Sequence, residues 1–169
     1  RRQAISRAPA EALRLLYLGA HYRSVLDFTW EKLDDAKRML DRFYRALERT
    51  PPVEGAPVPA AVFAALCDDL NTPLAIAALH PLADAALQGG AEAASALKAA
   101  GAMLGLFGQS PHDWFRAGAD EAAIERLIQE RLDARKARDF ARADTIRAEL
   151  ASEGILLEDG PGGTTWRRA

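Results

Sequence analysis

The chain has 169 residues, of which 49% are hydrophobic and 27% charged, and a formal net charge of −2. That apolar content is enough for a sizeable core and excludes a disordered chain, while the length suits one large domain or two small ones. No apolar run approaches the ~20 residues of a membrane span, and 22 basic against 24 acidic residues exclude a bulk polycation.

Almost the whole chain is predicted helical. Arg1-Arg2-Gln3 offers neither an initiator Met nor the apolar core of a signal peptide, so a processed chain or a piece of a longer one is expected. Residues 9–20 give a short helix with Leu13, Leu15 and Leu16 as core candidates. The stretch 21–28, HYRSVLDF, breaks the period and is a connection. Thr29 is a good N-cap for a long helix to about Glu48. Its apolar positions Leu33, Ala36, Leu40, Phe43, Tyr44 and Leu47 recur at three- and four-residue spacing, so one face is buried. Residues 50–59, TPPVEGAPVP, are a linker.

A helix over 59–70 follows, ending before Asn71, and Thr72-Pro73 signals the start of the next. Pro81 lies inside that helix, where it removes a backbone donor and should kink or split it before Gly89-Gly90 closes it. Residues 91–107 are Ala-rich and predicted helical, with Gly101 and Gly105 permitting close packing. Ser110-Pro111 starts a short helix carrying Trp114 and Phe115. Further on, a helix from about Asp120 to Arg138 has Ile124, Leu127, Ile128 and Leu132 on one face. Asp139 is then the N-cap of a helix over 140–152, with Phe140, Ala143, Ile146, Ala148 and Leu150 as apolar positions and Gly154 as its stop. Apolar and β-branched residues flank a turn at Asp159–Gly163, which is a hairpin signal. The fold class is therefore mainly α: a helical bundle followed by a small helix–helix–β-hairpin C-terminal unit. That unit hangs on a short connection around Ala117–Asp120, an attachment that permits motion.

Charge is unevenly spread. Residues 1–50 carry eleven Lys/Arg against seven Asp/Glu, 51–120 two against seven, and 121–169 nine against ten. A ligand with a phosphate backbone would prefer the ends.

Little in the sequence suggests catalysis. Cys67, His21, His80 and His112 are scattered without ligand spacing, so no metal site is expected and Cys67 is read as a small buried residue. A single cysteine forbids an internal disulfide and fits a reducing cytoplasm. The Gly160–Gly163 run joins two strands, unlike a phosphate-cradling loop. Asp68-Asp69 is read as a solvated pair. No catalytic residue is expected in this chain. Binding is the better prospect, because Arg131, Arg135 and Arg138 share one helix face, with Lys136 and Arg142 nearby and Phe140 and Trp166 close. Cations with aromatics suit RNA, whose unpaired bases stack on rings. The spacing equally fits a solvated face paired with Glu130, Asp133 and Asp139, with Phe140 in the core.

Four segments carry a resemblance: GAHYRSVLDFTWEKLDDAKRMLDRFYRAL (19–47), ALCDDLNTPLAIAAL (65–79), RLDARKARDFARADTIRAEL (131–150) and GILLEDGPGGTTWRR (154–168). In this order they resemble the C-terminal part of bacterial cysteinyl-tRNA synthetases, over nearly the whole chain. The resemblance implies a stem-contact-like segment at 1–28, a helical bundle at 29–116 and an anticodon-recognition unit at 120–169. It further implies a cytoplasmic ligase that attaches cysteine to its tRNA using ATP. The family's catalytic domain, with its His-Ile-Gly-His and Lys-Met-Ser-Lys-Ser motifs, is absent from this sequence. This chain alone is therefore expected to be inactive and to need no cofactor. Zinc, ATP and magnesium are expected in the catalytic domain, and the expected partners are that domain and cysteine tRNA with a GCA anticodon.

The family's anticodon contacts fall on Arg135, Phe140, Asp144 and Asp159. Arg135 can hold phosphate or donate twice to a guanine edge, and the two Asp residues can accept from base amino groups. Phe140 can stack a flipped base. Related sequences often carry Trp at that position, and Phe keeps the stacking face without the indole donor. Arg23, Arg131, Lys136 and Arg138 are candidates for backbone contact, and Trp166 is expected to anchor the hairpin. Two alternatives remain. One is a helical protein–protein docking module without RNA affinity of its own. The other, a cysteine-activating ligase sharing only the catalytic domain, is disfavoured by the complete unit at 131–168.

Overall fold

The computed structural model describes residues 9–116, 120–160 and 163–168. It divides into two compact units, one up to Pro111 and one from His112 onward. The expected motion around Ala117–Asp120 falls largely on 117–119, outside the described residues.

In the first unit, α1 (Ala10–Leu18) packs on α2 (Trp30–Arg49). The Thr29 hydroxyl accepts from the Lys32 amide and caps α2, satisfying one orphan donor of its first turn. All six positions given by the α2 period are buried. Glu11 of α1 is buried as well. Its carboxylate accepts from the Tyr44 hydroxyl at 2.9 Å and the Phe107 amide at 2.6 Å, tying α1 to α2 and to the loop after α6. Burial, followed by the Glu11 charge, raises the Tyr44 pKa.

Then come α3 (Ala60–Cys67), α4 (Thr72–Ala77), α5 (Leu79–Leu87) and α6 (Ala91–Met103). α3 stops three residues earlier than predicted, because Asp69 and Leu70 both adopt left-handed backbone, φ 52°. Asn71, rather than Thr72, caps α4, accepting from the Leu74 amide at 3.1 Å. The predicted helix through Pro81 is split at Ala78, so that Pro81 lies in the first turn of α5, where its missing N–H leaves no gap. α6 ends at Met103, before the predicted 107. Gly105 follows it at φ 68° as a terminator, and the Arg14 side chain of α1 lies close against it, 3.1 Å from where a Cβ would stand. Gly101 does pack closely, since a Cβ there would overlap the Phe107 ring. Cys67 is exposed, not buried, because α3 turns only Val62 and Ala65 fully inward.

The second unit contains most of α7 (Pro111–Arg116), then α8 (Glu121–Lys136), α9 (Phe140–Ser152) and the hairpin β1 (Ile155–Gly160) with β2 (Gly163–Arg168). Trp114 and Phe115 therefore group with this unit. Asp120 caps α8 and Asp139 caps α9. The strands are antiparallel, Ile155 facing Arg168 and Gly160 facing Gly163. The turn is thus shorter than the five residues predicted, and 161–162 lie outside the described residues. Period two sends Ile155, Leu157 and Trp166 inward onto Ile124, Ile128, Ile146 and Leu150. Trp166 is 5% exposed and anchors the hairpin, with the Arg116 guanidinium 4.6 Å from its ring centroid. Ala148, given as an apolar position of α9, is exposed.

Candidate nucleic-acid interface

The corner between α8 and α9 carries most of the predicted site. Arg138 sits there with φ 60°. Its amide donates to the Arg135 carbonyl at 3.1 Å, and the Asp139 amide donates to the Ala134 carbonyl at 2.9 Å. This is a Schellman closure with arginine at the position where glycine is cheapest. The backbone therefore tolerates a left-handed residue that costs about 1–2 kcal/mol, and presents an exposed cation at the turn. Phe140 follows as the first residue of α9 and is 61% exposed, so it is not the core position its period implied. Asp144, four residues on, shares its helix face and is exposed, and its carboxylate makes no hydrogen bond to a described residue. Its charge reaches the Arg131 guanidinium.

Behind the corner is a closed ionic cluster. Arg131 is 5% exposed and grips Asp159 with both terminal nitrogens, Nη1 to Oδ1 at 3.0 Å and Nη2 to Oδ2 at 2.9 Å. The Thr164 hydroxyl donates to Oδ1 at 2.6 Å, and Arg135 Nη1 approaches Oδ2 at 3.4 Å. The hydrogen bonds from Arg131 and then Thr164 hold the Asp159 carboxyl well below the usual carboxylate range. Reciprocally, the Asp159 hydrogen bond raises the Arg131 pKa. Leu132, Arg135, Asp159, Gly160, Gly163 and Thr164 line an open depression of about 500 Å³ over this cluster.

The structure thus brings Arg131, Arg135 and Asp159 together and leaves Phe140 and Asp144 on an adjoining face. Arg131, placed by its spacing among the backbone contacts, is turned inward onto Asp159. The signal was present: it stands seven residues after Ile124 and three after Ile128, on the apolar stripe of α8. Thr164 was not singled out, and its register opposite Asp159 is what makes it matter. Lys136 is exposed and lies 3.3 Å from Asp133, and Arg142 bonds Glu130 at 2.7 Å, so part of the basic run is the solvated, paired face that the spacing also allowed.

Arg23 belongs to the first unit. Asp69, with its left-handed backbone, accepts from the Tyr22 hydroxyl at 2.7 Å and pairs with Arg23 Nη1 at 3.3 Å. The His21 Nε2 lies 3.2 Å from its carbonyl oxygen. Asp69 is therefore a partnered residue that pins the 21–23 connection, and its hydrogen bond raises the Tyr22 pKa. Among the described residues, no group of three His, Cys, Asp or Glu is placed to hold a metal, and no helix is long and apolar enough to cross a membrane.

Residues 120–167, which run from the cap of α8 into β2, match the family described as the cysteinyl-tRNA ligase anticodon binding domain. Residues 61–108, covering α3 to α6, match the DALR domain. Cysteine–tRNA ligases from Gluconobacter oxydans and Acidiphilium cryptum are 70% and 61% identical to the chain over 99% and 98% of its length. The chain belongs to the cysteine–tRNA ligase family. A third such ligase, from Granulibacter bethesdensis, is 53% identical over 99% of the chain. The chain spans 37%, 37% and 36% of the lengths of these three relatives. α1 and α2 precede both family matches, so the Glu11–Tyr44 tie between them is a feature the domain descriptions do not cover.

Proposed function

We propose that this chain is the tRNA-binding portion of a cysteine–tRNA ligase, and that its second unit reads the anticodon. In the whole enzyme, a catalytic domain outside this chain would attach cysteine to the tRNA using ATP, and would hold the zinc and magnesium. This chain grips RNA and performs no chemistry.

The observation that carries this reading is Phe140. A phenylalanine left 61% exposed at a helix start costs solvation and gives little to the fold, but it offers a stacking face to an unpaired base. Around it, Arg135 and Arg138 supply charge for phosphate or a guanine edge, and Asp144 supplies an exposed acceptor for a base amino group. In this assignment Arg135, Phe140, Asp144 and Asp159 face the anticodon, and Lys136, Arg138 and Arg23 meet the backbone. The ligand is cysteine tRNA with a GCA anticodon, and the setting is the cytoplasm.

Titration of the chain with a cysteine tRNA transcript and a GCA-to-GAA variant, at two salt concentrations, tests the reading. Binding that weakens with salt and falls by about 1–3 kcal/mol for the variant is expected. Equal binding of both transcripts would refute anticodon reading. A docking role is favoured by one observation in the first unit, where Val25 is 95% exposed with Tyr17 and Phe28 also uncovered. It predicts no RNA affinity, so the same titration separates the two.

A further inference from the structure

An acidic residue in an RNA interface carries a penalty, because its charge is repelled by the phosphates around it. Asp159 escapes that penalty through its partners. Its four acceptor positions are filled by Arg131 twice, by Thr164 and by Arg135. These partners are not equivalent. Arg131 is buried and holds both oxygens in fork geometry at 2.9 and 3.0 Å, which fixes the plane of the carboxylate. Thr164 fixes the same carboxylate from the opposite strand, and Arg131 also reaches its hydroxyl oxygen at 3.5 Å. Arg135 makes a single 3.4 Å contact from a half-exposed side chain. Exchange of that one contact costs least.

We propose that Arg131 and Thr164 are positioning residues for anticodon recognition: they hold Asp159 as an oriented, already neutralised acceptor, so that Arg135 is the arm released to the RNA. This rests on the anticodon reading given above. When Arg135 leaves for a phosphate or a base edge, one acceptor position on Oδ2 opens toward the depression at the moment a base arrives there. The carboxylate remains paired, because Arg131 stays behind it. Arg131 itself never meets the nucleic acid. A cation that neutralises from within and a cation that reaches outward are thus one helical turn apart on α8.

The test compares the unaltered chain with Arg131→Met, Thr164→Val, Arg135→Ala and Asp159→Asn, alone and with Arg131→Met combined with Asp159→Asn. The probes are a cysteine tRNA transcript and three variants, each altered at one anticodon position, titrated at several salt concentrations. Circular dichroism monitors folding. Arg131→Met is expected to lose about 10- to 100-fold in discrimination at one anticodon position, with the salt slope unchanged. Arg135→Ala is expected to lower the slope by about one. Thr164→Val is expected to lose about 3- to 10-fold in discrimination at the same position. In the Asp159→Asn background, Arg131→Met should cost no further discrimination.

A folded Arg131→Met chain with full discrimination overturns the proposal. So does one whose slope drops by about one for all four RNAs, since Arg131 would then be a phosphate contact. Full additivity with Asp159→Asn also overturns it. Should Arg131→Met fail to fold, Thr164→Val decides, and unaltered discrimination there refutes the proposal. If the unaltered chain binds none of the four RNAs, or all equally, the anticodon reading falls and this inference with it. Discrimination in the unaltered chain that survives the substitutions removes only the inference.

Discussion

Replacing Phe140 with Ala separates a binding role from a structural one, because the two predict losses of different size in different measurements. Full burial of a phenylalanine is worth about 1.5–3 kcal/mol. Phe140 is 61% exposed, so its covered part contributes well under half of that, less than about 1 kcal/mol. The second unit is small, so the thermal midpoint should fall by less than about 8 °C. Helix propensity works in the opposite direction, since Ala is the better helix former by several tenths of a kcal/mol, and trims even that shift. A base stacked on the ring contributes about 1–3 kcal/mol to binding, so the dissociation constant for cysteine tRNA should rise roughly 5- to 150-fold. Phe140→Trp should retain or improve binding, because it enlarges the stacking face and adds a donor. Fluorescence titration at fixed salt reads the first quantity and a thermal melt followed by circular dichroism reads the second. Unchanged affinity for Phe140→Ala would refute the stacking role. A large fall in the midpoint with a proportionate fall in affinity would return Phe140 to the core.

Three further expectations follow from local geometry. Arg138→Gly relieves left-handed backbone at the α8–α9 corner and should stabilise the second unit by up to about 1 kcal/mol, while lowering the salt slope of RNA binding by about one; losses in both denaturation midpoint and affinity would mean that the side chain holds the corner instead. Gly101→Ala places a methyl group in the Phe107 ring, which is wedged edge-on against Phe43 and Tyr44 at 5.9 and 5.6 Å; overpacking of about 1–3 kcal/mol should outweigh the ~1 kcal/mol helix gain and lower the denaturant midpoint of the first unit, and a rise would show the ring free to move away. The folded-state pKa of Asp159 lies below its unfolded value, so its pairing stabilises the second unit fully above about pH 4 and the contribution fades as pH falls toward the depressed folded value. Acid titration of the melting midpoint should therefore be steeper below about pH 4 for the unaltered chain than for Asp159→Asn, and coincident curves would refute the linkage.

Period and capping made α2, α9 and the hairpin legible, because each is specified by residues close together in sequence. Thr29 and Asp139 sit where their side chains must accept from the amide three residues on, and no distant contact is needed. What escaped the sequence depends on partners far along the chain. Glu11 belongs in solvent by type, and Tyr44 and the Phe107 amide, 33 and 96 residues away, help make its burial tolerable. Asp69 looked solvated until the 21–23 connection folded onto it. Phe140 failed differently. It continues the stripe of Ala143, Ile146 and Leu150, but the first turn of α9 leaves it largely uncovered, so periodicity assigned the right face at a depth where no core remains. Among the site residues, the family resemblance named positions that spacing alone could not rank; the inward turn of Arg131 follows from its place on the apolar stripe of α8, but its partnership with Asp159 and Thr164 needed the register of β1 with β2.

That inward turn links recognition to folding. An isolated two-stranded hairpin is marginal in water. Here Ile155, Leu157 and Trp166 fasten one end to the core, but beyond the Leu157–Trp166 pair the strands carry Asp159, Thr164 and two glycines, with nothing apolar to bury. At that end, Arg131 replaces hydrophobic packing. An apolar residue could hold the strands as firmly but would fill the depression and remove the acceptor. A buried guanidinium holds them through the recognition group itself, and leaves the space above it open. The cost is that the pair cannot be tuned for one purpose alone. Substitutions that break the fork should loosen the distal hairpin, whereas substitutions at Arg135, Phe140 or Asp144, which fasten nothing comparable, should change what is bound and leave the fold intact.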